Sequence, residues 1–301
     1  MKKQLIGLVI LLLAMGQGLV RAEFQHPRFY IKFNGVGSNA AGGDFSDFLD
    51  RNETYFTGLV TSAAGYNISI TRPPLFRGFS GEIGVDVEKY AVGLSMGYIE
   101  KKFHIDYRYL DETSGFEDRY TRDHTFSAIP IFLFIHYKII NTRVLTTYFT
   151  LGEGVYLARY RDERSQTYQN YSLTFANSLL ESKKNRLGFH AGVTIDLNIS
   201  SNLAISVEGA YRLTSFKEMA AESYYEDDNQ QVTDEGDFYY WINNRTGQGR
   251  FDIGAPVDKA FWDGLPTQLN LNGFSFGVGI KITFGSKKKR KPVKVAPPDE
   301  Y

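Results

Sequence analysis

The chain has 301 residues and a formal net charge of zero, with 15% aromatic residues, 29 glycines and no cysteine. Without cysteine there is neither a disulfide framework nor a lipid anchor on a cysteine thiol, so stability has to come from a sizeable fold. Setting aside Lys2, Lys3 and Arg21, and the six basic and two acidic residues after Gly285, the remainder is acidic by seven charges, which argues against nucleic acid as a partner.

Lys2-Lys3, an apolar run from Leu5 to Met15, and Val20-Arg21-Ala22 have the layout of a secretory signal peptide, read as residues 1–22. No later stretch reaches about 18 consecutive apolar residues, so no transmembrane helix is expected. From there to Gly285 the governing signal is alternation with period two. Residues 28–37 set Phe29, Ile31 and Phe33 against Tyr30, Lys32 and Asn34. Residues 79–88 set Phe79, Ile83, Val85 and Val87 against Ser80, Glu82, Asp86 and Glu88. Residues 91–109 begin with Val92, Leu94, Met96 and Tyr98 on one face and change to Phe103, Ile105, Tyr107 and Tyr109 after Glu100-Lys101-Lys102. That change is read as a β-bulge or as emergence from a membrane. Residues 125–139 are apolar on both faces, with Phe132 and Phe134 expected inside, and 143–160 form a further strand. Residues 187–199, 203–213 and 273–284 alternate most cleanly; in the last, Phe274, Phe276, Val278, Ile280, Ile282 and Phe284 face one way.

These segments run about 10–19 residues, long for ordinary strands and sufficient for a tilted membrane strand, which needs about 9–11. The connections alternate. Long ones are expected at 38–78, 110–123, 161–186 and 216–268, and short ones near 89–90, 140–142 and 200–202. The expected fold is therefore all-β: an eight-stranded antiparallel up-and-down transmembrane β-barrel over 23–285, with long extracellular loops. A basic tail, 286–301, follows, expected to be disordered and periplasmic. Both mature termini fall on the short-turn side, the periplasm of a Gram-negative-type bacterium. The apolar face would meet lipid. The polar face, small and charged, would fill the narrow lumen, with Tyr30, Tyr98, Tyr109, Tyr148, Tyr160, Tyr211 and Phe284 near strand ends.

Three segments carry a family resemblance. Gly277-x-x-Ile280-x-Ile282-x-Phe284 resembles the terminal signal that outer-membrane barrels present to their assembly machinery. Tyr148-Phe149-Thr150-Leu151-Gly152-Glu153-Gly154-Val155, and Ile129-Pro130-Ile131 leading to His136-Tyr137-Lys138-Ile139, resemble strands of small OmpA/OmpX-type barrel domains. The resemblance covers most of 24–285 and concerns architecture. It implies an outer-membrane location, contact with outer-membrane lipid and lipopolysaccharide, and handling by the barrel assembly machinery through the last strand. The sequence departs from the pattern in continuing past Phe284, and in placing Glu153 on the face of Phe149, Leu151, Val155 and Leu157, which requires a bulge or a locally inward face.

A lumen polar network is expected from Lys32, Glu82, Asp86, Glu88, His136, His190, Asp196, Glu208, Arg212 and Lys281. In the acidic segment 216–268, Tyr224, Tyr225, Tyr239, Tyr240 and Trp241 suit a recognition surface for a surface ligand. Asp227-Asp228-Asn229 lacks the full pattern of a calcium loop. No cofactor, metal site or catalytic residue is expected, and the role is structural or recognitional. The alternatives are an outer-leaflet lipid-modifying enzyme using His124 and Ser127, and a narrow ion channel.

Overall fold

The computed structural model describes residues 27–62, 65–169 and 175–285, so the expected signal peptide and basic tail lie outside the described residues. In chain order the elements are β1 (Arg28–Gly43), α1 (Asp44–Ser62), β2 (Tyr66–Thr71), β3 (Phe76–Val87), β4 (Tyr90–Asp111), β5 (Phe116–Asn141), β6 (Leu145–Gln169), β7 (Phe175–Asn198), β8 (Leu203–Leu213), β9 (Ser215–Phe216), β10 (Ala220–Asp227), β11 (Gln231–Asn243), β12 (Gly249–Ile253), β13 (Trp262–Pro266) and β14 (Leu269–Phe284).

The 14 strands form an antiparallel sheet in which β8, β14, β1, β3, β4, β5, β6 and β7 pair in that order. β7 pairs back to β8, closing a ring through eight strands. The register from Leu213 passes through Phe189, Glu153, Leu133, Leu94, Ile83, Ile31 and Ile282, then returns to β8 at Leu203, ten residues earlier. With about 3.3 Å per residue and about 4.8 Å between strands, a stagger of ten tilts the strands about 40° from the ring axis.

Alternation decides the two faces. Phe29, Phe33, Phe79, Ile83, Leu94, Met96, Phe149, Leu151, Phe189, Val193, Val278 and Ile280 all point outward and are exposed. Along β8 the outward apolar row spans Leu203 to Leu213, which at that tilt is a belt about 25 Å high. At one rim the turns are tight. Ser200 Oγ accepts the N–H groups of Asn202 and Leu203, and Thr142 Oγ1 accepts the Leu145 N–H at 2.9 Å. Arg28 Nη2 donates to Ser201 O at 2.6 Å, and Thr283 N donates to Asn202 O, so both chain ends of the ring lie at this rim.

The opposite side departs from expectation. The segments read as long loops are mostly extensions of the strands. β4 and β5 continue to a tight turn at 112–115, where Asp111 accepts the Thr113 N–H and the Ser114 hydroxyl, and Gly115 takes a φ of 69°. β6 and β7 likewise run through most of 161–186, and 216–268 contains the end of β9 and all of β10 to β13. Residues 38–78 contain α1, which the strand-based reading does not anticipate. Its Phe45, Phe48, Leu49, Asn52 and Phe56 recur at helical spacing and are all buried, and Asp44 and Asp47 sit in its first turn. β4 to β7 thus rise as a tall wall above the ring, and the helix packs against its concave face.

There is no bulge at Glu100-Lys101-Lys102. The β3–β4 register is unbroken, and β4–β5 keeps the same offset on both sides of this segment. Ser95, Gly97, Ile99, Lys101, Phe103 and Ile105 all stay on the inner face and are buried. What changes is the chemistry of the interior, from polar within the ring to aromatic beneath the helix. The β4–β5 pairing lapses only at Gly97-Tyr98 opposite Ile129-Pro130, where proline has no N–H to give. Glu153 also sits in unbroken register, between Leu133 and Phe189, so it faces outward with neither a bulge nor a local inversion.

Candidate functional site

Within the ring, nine of the ten expected lumen residues converge. Lys32 and Lys281 stand side by side in the β1–β14 register, and like charges there must find separate partners. Lys32 Nζ lies 2.9 Å from Glu208 Oε2 and 3.2 Å from Glu82 Oε2. Lys281 Nζ donates to Asp196 Oδ2 at 2.8 Å and to the Tyr148 hydroxyl at 3.0 Å. Glu82 also accepts from Tyr30 and lies 2.7 Å from His136 Nε2, while His190 Nε2 lies 3.1 Å from Glu208. Asp86 pairs with Lys138, a residue the sequence reading does not single out although its even position on β5 shares the face of His136. Arg212 is buried higher in the ring, opposite His190. Glu88 does not join them: it lies exposed in the turn after β3, because the strand ends at Val87. Of the aromatic residues expected near strand ends, Tyr30, Tyr148 and Tyr160 are interior, Tyr30 as its alternation with Phe29 and Ile31 requires. At the short-turn rim the outward pair is Tyr90 and Tyr137, 5.4 Å between ring centroids.

Above the ion pairs the interior closes. A cavity of about 30 Å3 remains between Asn34, Glu82, Phe132, His190, Glu208 and Arg212, room for a water molecule. Phe132, Phe134 and Tyr156 pack over it, and Phe126, Phe45, Phe48 and Phe216 fill the space beneath the helix.

His124 sits in this aromatic core. Its ring lies 4.3 Å from that of Phe48, and its Nδ1 lies 2.9 Å from the Tyr160 hydroxyl and 3.4 Å from Asp162 Oδ1. Burial pushes the imidazole down to about pH 3, against the pull of Asp162. Burial alone would raise the Asp162 carboxyl, but the Arg122 guanidinium overrides it and holds the group below its usual range. Ser127 is three residues along β5 and therefore on the opposite face, where its hydroxyl reaches Arg159 O. The two do not form a nucleophile–base pair.

On the long-element side a cavity of about 650 Å3 lies between α1, the tall wall and the hairpins beyond it. Tyr55 and Phe56 of α1, Tyr66, Tyr107, Tyr120, Arg122, Asp162, Arg164, Arg250 and Trp262 line it, together with Tyr224 and Tyr225. Arg122 grips Asp162 with two nitrogens, at 2.9 and 2.5 Å. The Arg164 guanidinium lies over the Tyr120 ring at 5.1 Å. Arg250 lies over Trp241 and Trp262 and pairs with Asp252. Of the expected recognition residues, Tyr224 and Tyr225 border this cavity. Tyr240 is instead buried, and its hydroxyl donates to Asp47 Oδ2 at 2.9 Å, tying β11 to the helix. Trp241 donates to Gly254 O at 2.9 Å, and Tyr239 is half-buried opposite Asp252. The Asp227 carboxylate is occupied by Tyr225 and by the N–H groups of Asn229 and Gln230, which leaves it holding the β10–β11 turn. Sequence reasoning missed the wall residues Tyr107, Tyr120, Arg122, Asp162 and Arg164. Their alternation continues that of β4, β5 and β6 past the apolar stretch, and that continuity is the signal by which they are legible.

No protein-family model matches the chain, and no match emerged among curated proteins. Among solved structures it is similar to a major outer membrane protein from Thermus thermophilus, with 14% identity, a TM-score of 0.39, and coverage of 86% of this chain and 99% of that one. It is also similar to the outer membrane protein OprG from Pseudomonas aeruginosa (7%, 0.36, 86% and 96%) and to the outer membrane protease OmpT from Escherichia coli (11%, 0.30, 87% and 98%). At these identities and TM-scores the likenesses carry no statement about what this chain does.

Proposed function

We propose that the chain is an integral outer-membrane β-barrel protein of a Gram-negative-type bacterium, in which an eight-stranded barrel anchors a folded extracellular recognition module. The observation that carries this reading is the inversion of the two faces. An apolar belt runs right round the ring, while lysines, carboxylates and histidines fill its inside. A soluble monomer rarely exposes a contiguous apolar patch above a few hundred Å2, and a belt of this extent is far larger. Its height of about 25 Å fits the lipid-facing band of such barrels. The short-turn rim, with both chain ends, then faces the periplasm, and α1 with β9 to β13 faces outward. β14, paired to both β1 and β8, is the closing strand that the assembly machinery would handle. Lipid and lipopolysaccharide would surround the belt and its upper rim.

The ion-paired lumen and its aromatic cover favour a filled anchor over the ion-channel alternative. The separation of His124 from Ser127 removes the residue pair on which the lipid-modifying alternative stood. The test is fractionation followed by a gel with boiled and unboiled samples. Recovery from the outer membrane with a heat-dependent mobility shift is expected. Recovery as a soluble periplasmic protein without a shift would overturn the reading.

A further inference from the structure

The cavity above the ring has a charge and shape that point to a class of ligand. Its volume, about 650 Å3, lies within the range of small-molecule sites, roughly 300–1,000 Å3. Its walls are tyrosine and tryptophan rings held by the fold. Tyr107 and Tyr120 lie 4.9 Å apart between centroids, and Tyr66 lies against both Tyr107 and Tyr109. Flat rings of this kind offer large contact area at low entropic cost, together with hydroxyls for polar contacts.

The polar groups are not evenly balanced. Arg122 is committed to Asp162, and Arg250 to Asp252. The Asp118 carboxylate, on the same face of β5 as Tyr120, already accepts from the Tyr107 hydroxyl and from Gln166 Nε2. Glu226 and Asp227 at the rim accept from Tyr224 and Tyr225. Arg164 differs. It is fixed on the Tyr120 ring, donates to Gln166 Oε1 at 2.6 Å, and among the described residues forms no ion pair with a carboxylate. A stacked guanidinium with donors to spare is suited to a carboxylate or phosphate of a ligand.

We propose that this cavity binds a short acidic oligosaccharide, with sugar rings laid against the tyrosine wall and an anionic substituent on Arg164. The proposal rests on the reading of the module as extracellular. The anion could be a uronic-acid carboxylate or a sugar phosphate, and both give the same contact with the guanidinium.

The experiment uses the full mature protein in detergent, titrated calorimetrically with trigalacturonate, with a phosphorylated disaccharide, and with a neutral galactose trisaccharide. One acidic probe is expected to bind more tightly than the neutral one, and which acid does so identifies the anion. Arg164→Gln should weaken that binding roughly 10- to 100-fold, the effect of losing a charge-assisted contact, and leave the neutral probe unchanged. The heat-dependent gel shift confirms that the variant is folded. Tyr120→Leu, which removes the platform under the guanidinium, should weaken the acidic probe as well. Absence of binding by either acid, equal binding of the neutral sugar, or an unchanged affinity in folded Arg164→Gln would overturn the proposal. Because the chain has no cysteine, Asn229→Cys gives one thiol at the tip of the β10–β11 hairpin. Its labelling by an impermeant maleimide on intact cells tests the extracellular placement independently. Failure to label would refute that placement whatever the titrations show.

Discussion

Replacing Lys32 with methionine removes the cation that joins two carboxylates inside the ring. Lys32 is 3% exposed, and its ammonium lies within 3.2 Å of both Glu82 and Glu208. Methionine keeps most of the side-chain volume, so the packing loss is small and the effect is electrostatic. Breaking a buried ion pair by removing one partner costs about 3–5 kcal/mol, because a charge is left buried without compensation. Here Glu82 keeps Tyr30 and His136, and Glu208 keeps His190, which places the expected cost near the lower end, about 3 kcal/mol. With a urea slope of about 3 kcal/mol per M, the unfolding midpoint in detergent micelles should fall by about 1 M at pH 8. Adding Glu208→Gln neutralises one stranded carboxylate and should recover about 1 kcal/mol. Lys89→Met, in the exposed turn before β4, is the control and should be neutral. If Lys32→Met unfolds within about 0.5 kcal/mol of the parent, or if the double variant is no better than the single, the interior ion pairs are not what holds the ring together.

His124 gives the part of the structure above the ring a pH dependence. The unfolded imidazole takes up a proton near pH 6.5, the buried one only near pH 3, so the unfolded state binds more protons across that window. Stability should therefore fall as pH is lowered from about 6.5 towards 3, by up to about 1.4 kcal/mol per unit, with the lowered Asp162 adding the same sign at the acid end. Amide exchange in α1 and β12 measures it, and a slope that survives in His124→Phe would assign the effect elsewhere. Tyr240→Phe should cost about 1 kcal/mol and speed exchange in α1 without altering the ring, since it removes the hydroxyl that donates to Asp47 and also meets Arg51 of the helix. Unchanged exchange would mean that the bond does not dock the helix. Glu153→Leu should raise the unfolding midpoint, by about 1 kcal/mol in equivalent stability, by removing a carboxylate from the apolar belt. A loss of stability would show that Glu153 has a partner on that face.

The eight-stranded ring was legible in the chain. Period-two alternation is a local property of extended backbone, so Phe274 to Phe284 or Leu203 to Leu213 declare their outer face without knowing their neighbours. The same alternation placed Lys32, Glu82, His136, His190, Asp196, Glu208 and Lys281 together on the inner one. Glu88 failed because alternation does not say where a strand ends. Proximity to a strand end did not say which side the Tyr148 ring takes, whereas alternation had already set Tyr30 beside Lys32 on the inner face. Above the belt the local signal weakens, since outward residues there meet water and the inner ones turn apolar to receive a helix. The helix itself was written in the spacing of Phe45, Phe48, Leu49, Asn52 and Phe56, but a reading tuned to strands passed over it. Which charges pair with which was beyond the sequence. Lys32 meets Glu208, and Lys281 meets Asp196, only because closure sets β1 two strands from β8 and β14 two strands from β7, and the ring's register brings their inward side chains to one height. The cavity of Tyr66, Tyr107, Tyr120 and Arg164 depends likewise on nine separate elements being held around one space. The alternating pattern determined the faces and the number of strands in the ring. Register, pairing and the cavity were decided by closure, because closure is a relation between strands that no single stretch of chain contains.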